Sequence, residues 1–72
     1  MTGPGQLEIL RNGEAQPVAT GTTVADMVEA AFPLPAGIAV ALNGEVVARS
    51  LWAHTVLRSG DRLEILSVAP GG

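Results

Sequence analysis

The chain has 72 residues, no Cys, a single His and a formal net charge of −3 at pH 7. That length allows one small domain burying only about 60% of its unfolded surface, and without Cys no disulfide, thiolate ligand or thiol nucleophile can support it. All four basic residues are Arg (Arg11, Arg49, Arg58, Arg62), which excludes a Walker-type phosphate loop and Schiff-base chemistry, since both need Lys.

Residues 1–5 read as a loose arm. In QLEILR, apolar and polar residues alternate from Leu7 through Ile9, the pattern of a half-buried strand. Asn12-Gly13 is a strong hairpin signal because both residues tolerate positive φ. EAQPVA then reads as a weak strand, and Pro17, which cannot donate to a ladder, places it at a sheet edge. Thr23 to Asp26 has the spacing of a capping box, with Thr22 or Thr23 as the cap. Val24, Met27, Val28 and Ala31 follow at helical spacing and predict one apolar face. The stretch Pro33-Leu34-Pro35 stops this helix.

A second hairpin follows in GIAVALNGEVVA. Ile38, Val40 and Leu42 share one face and Ala39 and Ala41 the other, with Asn43-Gly44 turning into Val46-Val47. Ser50 is placed to cap a short helical turn through Leu51, Trp52 and Ala53. Ser59-Gly60-Asp61 turns into the last strand, RLEILSV, with Asp61 expected to steady the turn through its own backbone. The order predicts an α+β domain: a mixed five-stranded sheet, one main helix laid across it and a short helical turn. The expected core sets the helix face on Ile9, Val40, Leu42, Leu63 and Ile65, with Trp52 plugging one end.

Side chains offer little chemistry. One His is too little for a His-based metal site, so no metal is expected, and His54 has no nucleophile near it in sequence. Glu8 and Glu64 read as solvated strand charges, and the scattered Arg residues form no basic stripe for nucleic acid. The chain has no long apolar run, and the expectation is a soluble, cytoplasmic protein without catalytic activity of its own. With Leu63 and Ile65 facing the helix, Leu66 and Val68 face away beside Ala39 and Ala41, a patch of the kind that marks a partner site. Beyond it, Ala69, Pro70, Gly71 and Gly72 form an extended tail over 69–72, after a domain spanning 6–68. Two glycines let a backbone pass a narrow channel without side-chain clashes, and a terminal carboxylate is a group that ATP can activate.

The stretch GIAVALNGEVVARSLWAHTVLRSGDRLEILSVAPGG closely resembles the ThiS family, the sulfur carriers of thiamine thiazole synthesis. The landmarks are VALNGEVV (Val40–Val47), ARSLWA (Ala48–Ala53), GDRLEIL (Gly60–Leu66) and Gly71-Gly72; the likeness covers about Leu7 to Gly72. The resemblance implies a ubiquitin-like β-grasp fold. It also implies that Gly72 is adenylated by a ThiF-type enzyme using ATP and magnesium, with no cofactor bound to the carrier itself. The adenylate would become a thiocarboxylate, with sulfur from cysteine through a sulfur-transfer enzyme, and pass to a ThiG-type thiazole synthase. Gly71 and Gly72 match the family's functional residues, and the family's open sheet face agrees with Ala39, Ala41, Leu66 and Val68 as partner-binding, followed by Ala69 and Pro70. Pro70 departs from the family, which more often has a residue with a backbone N–H there. Alternative readings are a MoaD-like small subunit of molybdopterin synthase, a sulfur carrier for a specialised metabolite, and a ubiquitin-like protein modifier. Paired prolines in the last strand, common in the MoaD-like family, are absent.

Overall fold

The computed structural model describes residues 5–32 and 37–67. Two hairpins supply four of the five strands. β1 (Gln6–Arg11) turns at Asn12-Gly13 into β2 (Glu14–Ala19), and β3 (Ile38–Leu42) turns at Asn43-Gly44 into the two-residue β4 (Glu45–Val46). Both Asn residues sit at positive φ, 48° and 52°, with Gly after each, as a tight twisted hairpin requires. β5 (Arg62–Ser67) runs up the middle, giving the order β2-β1-β5-β3-β4. It lies parallel to β1 and antiparallel to β3; the two hairpins are antiparallel. A parallel central pair flanked by hairpins, with one helix across it, is the β-grasp arrangement, and Pro17 lies on edge strand β2 as expected.

The helix α1 (Val24–Ala31) begins in a full capping box. Thr23, not Thr22, is the cap: its hydroxyl accepts from the Asp26 N–H at 3.1 Å, and Asp26 returns a bond to the Thr23 N–H at 3.0 Å. Thr22 instead donates its hydroxyl to the Ala19 carbonyl at 2.6 Å. The helix stops at Ala31, and Pro33 to Pro35, expected to end it, lie outside the described residues. Val24, Met27 and Val28 are buried against Ile9, Val40, Leu63 and Ile65, whereas Ala31 and Leu42 are half-buried at the margin.

Trp52 closes one end of this core at 6% exposure and donates its indole N–H to the Val47 carbonyl at 2.9 Å. Val47, expected to continue the fourth strand, follows directly on β4: its N–H makes the in-register bond to the Val40 carbonyl at 2.9 Å, but its own carbonyl takes the indole, and the strand ends at Val46. Ser50 is not a cap. The 3₁₀ helix runs Arg49–His54 with Ala48 at its N-cap, whose methyl side chain can make no cap bond; Leu51 N–H closes the first turn on the Ala48 carbonyl at 2.8 Å. His54 is exposed at its far end, as expected of a surface residue. Leu57, which showed no periodic signal, is 2% exposed. It is drawn in because its N–H bonds Thr22 and Val24 N–H bonds Thr55, each at 2.9 Å, sewing this connection to the start of α1.

Candidate functional site

β5 alternates from Arg62 through Leu66. Leu63 and Ile65 are buried under α1 while Arg62, Glu64 and Leu66 are exposed, so the expected register holds. A strand's side-chain period of two then carries its neighbours with it. Leu66 lies opposite Ala39, Glu64 opposite Ala41, and Ala41 in turn opposite Val46. Ala39, Ala41, Val46, Glu64 and Leu66 thus share the face turned away from the helix, around a shallow depression of about 160 Å³. The hollow exists because β3 offers only methyl groups between the larger Val46 and Leu66, which are 84% and 57% exposed.

Val46 is a member of this face that strand alternation in β5 does not reach. The signal was present: a two-residue Asn-Gly turn fixes the pairing, so Val46 must share the face of Ala41. Leu10 is likewise exposed at 38%, paired with Arg62. These two line a second depression with Gly13, Gly44 and Glu64, beside the first and sharing Glu64 with it. The face is therefore apolar at the Leu66 end and charged at the hairpin-turn end. No group of three or more His, Cys, Asp or Glu could hold a metal ion among the described residues. No helix among them is long and apolar enough to cross a membrane.

What holds β5 at this height in the sheet is a pair of asparagines. β1 ends at Arg11, so its ladder would release β5 after Leu63. Asn12 prolongs it: its N–H reaches the Leu63 carbonyl at 2.8 Å, its Oδ1 accepts from Ile65 N–H at 2.9 Å and its Nδ2 donates to Ile65 O at 3.2 Å. Across the sheet, Asn43 Oδ1 accepts from Arg62 N–H at 2.9 Å and its Nδ2 donates to Asp61 Oδ1 at 3.0 Å. Asp61 does steady its turn, through Oδ2 to the Arg58 N–H at 2.8 Å, but it also ties that turn to the second hairpin.

Of the sequence-derived site residues, Ala39, Ala41 and Leu66 come together on one face. Val68, Ala69, Pro70, Gly71 and Gly72 lie outside the described residues. Ser67, paired with Ile38, is the last described residue before them.

The chain is similar to known proteins along most of its length. A family model described as the ThiS family matches residues 4–72. The sulfur carrier protein ThiS of Escherichia coli (strain K12) is 35% identical over 66 residues, covering 92% of this chain and 100% of that protein. The crystal structure of the thiamine biosynthesis protein ThiS from Geobacter metallireducens is similar at a TM-score of 0.75 and 30% identity, again covering 92% of this chain and 100% of its own.

Proposed function

Since the chain belongs to the ThiS family, we propose that it carries sulfur on Gly72 as the terminal residue and delivers it for thiazole formation in thiamine biosynthesis. The Gly72 carboxylate oxygen attacks the α-phosphorus of ATP on a ThiF-type enzyme, and pyrophosphate leaves. Hydrosulfide, its sulfur originating in cysteine, then attacks the acyl carbon, displaces AMP and gives up its proton, leaving a thiocarboxylate. A ThiG-type thiazole synthase takes the sulfur. ATP and magnesium belong to the activating enzyme, and the carrier acts as a co-substrate.

The observation that carries this reading is that the family match runs through residue 72 and so includes Gly71 and Gly72. The side chains support it by what they lack: without Cys or Lys, sulfur has no other covalent foothold of those kinds. In this reading Ala39, Ala41, Val46 and Leu66 dock the partner enzymes, with Val68, Ala69 and Pro70 continuing the contact towards the activating centre. Pro70 offers that channel no N–H, so its recognition must rest on carbonyls and shape.

The test is chemical. Incubation with a ThiF-type enzyme, ATP, magnesium and a sulfur source should shift the intact mass by one oxygen-for-sulfur exchange located at Gly72. Deleting Gly72 shortens the reach by roughly 3.3–3.6 Å. Because a misplacement of about 1 Å can cost on the order of 100-fold, sulfur incorporation should collapse while the melting curve stays unchanged. Normal incorporation by the truncated chain would remove Gly72 from this role.

A further inference from the structure

Both hairpin turns are Asn-Gly, the dipeptide in which nothing on the following residue shields its backbone nitrogen. From the bonds that hold the two carboxamides we infer that Asn43-Gly44 is a site of spontaneous covalent modification, deamidation through a succinimide. In the same reading Asn12-Gly13, with the same sequence, is protected by the fold. The inference is independent of how the chain carries sulfur.

The chemistry needs only water. The Gly44 backbone nitrogen loses its proton to solvent and attacks the Asn43 side-chain carbonyl carbon. A C–N bond forms, the bond to Nδ2 breaks, and ammonia leaves with the proton it needs. Water then opens the five-membered ring at either carbonyl, giving Asp or isoaspartate. No electron changes hands. For the attack the carboxamide must swing off its hydrogen bonds and onto the glycine nitrogen, so the bonds in place set the rate.

At Asn12 those bonds are a rung of the central ladder. Both amide atoms are tied to the Ile65 backbone, in a part-buried setting, and Ile65 itself is 3% exposed. Freeing them strips the Ile65 N–H and C=O, backbone groups of the middle strand, of these partners. At Asn43 both bonds are exposed, one of them to a side chain, Asp61. The turn joins β3 to a two-residue edge strand whose described side chains are exposed. Opening there is local, and local openings cost far less than global ones. The product also damages its own clamp. A carboxylate at position 43 faces the Asp61 carboxylate where an amide donor stood at 3.0 Å, so the tie to Asp61 is lost, leaving the turn of the second hairpin held to the start of β5 only through Arg62.

The experiment is to age the purified, folded chain at mildly alkaline pH and to map both turns by peptide mass spectrometry with isoaspartate detection. A urea-unfolded sample serves as the reference. In the unfolded sample both turns should convert at similar rates. In the folded protein Asn43 should convert several-fold faster than Asn12. Asp61→Ala, checked by melting to be folded, should speed Asn43 further and leave Asn12 unchanged. Equal rates at the two turns in the folded protein would overturn the inference. So would conversion confined to the unfolded sample, or an Asp61→Ala variant that speeds both turns alike.

Discussion

At Asn12 the backbone has to turn left-handed, and the same residue has to supply a rung to β5 that β1 is too short to reach. A carboxamide has both a donor and an acceptor, spaced like a peptide group, so Asn can do both where Gly or Asp could do only one. Asn12→Ala leaves the Ile65 N–H and C=O without these partners, and each buried orphan costs about 1–3 kcal/mol. Urea unfolding should therefore show a loss of about 2–6 kcal/mol for the two groups together, where Asn12→Asp keeps only the acceptor and recovers part of it. Thr23 is the comparable single-residue case at α1. Thr23→Ala removes the cap from the Asp26 N–H and should cost about 0.5–2 kcal/mol in the same measurement.

The element that decides most is β5, because one strand serves two surfaces. Ile65 faces the core and Leu66 faces out, adjacent in sequence and opposite in consequence. Ile65→Ala should cost about 2–5 kcal/mol through lost burial and the cavity left behind. Leu66→Asp, on an exposed position, should leave stability within about 0.5 kcal/mol. In the proposed role it should weaken affinity for a ThiF-type enzyme, read by calorimetry. Undiminished affinity in the folded Leu66→Asp variant would return the depression to ordinary surface. The 3₁₀ helix teaches the complementary lesson: the Ser50 expected to cap it lies inside it, since backbone closure on Ala48 and the Trp52 anchor already define its start and its seat.

For the molecule as a whole, stability is concentrated in the middle of the sheet. Ile9, Val40, Leu63 and Ile65, none more than 3% exposed, meet Val24 and Val28 of the helix in a single cluster. β4 stands apart at the edge with both residues exposed. Native-state hydrogen exchange should rank accordingly, with amides of β1 and β5 opening only with global unfolding and those of the second hairpin tip exchanging by local opening. A uniform exchange profile would contradict that division, and with it the unequal ageing of the two turns.

The strands, the helix and both turns were legible by themselves, because Asn-Gly, the capping box and the alternation in QLEILR and RLEIL are each short-range signals whose physics acts within a few residues. The likeness to ThiS was legible too, in runs of adjacent residues such as GDRLEIL. Tertiary structure alone decided the rest. It settled Thr23 over Thr22, buried the unpatterned Leu57 and gave the Val47 carbonyl to the Trp52 indole. It also joined Asn12 to Ile65, 53 residues away, and Asn43 to Asp61. Those outcomes depend on which distant backbone groups are left without partners once the sheet closes, and a one-dimensional pattern does not contain that information.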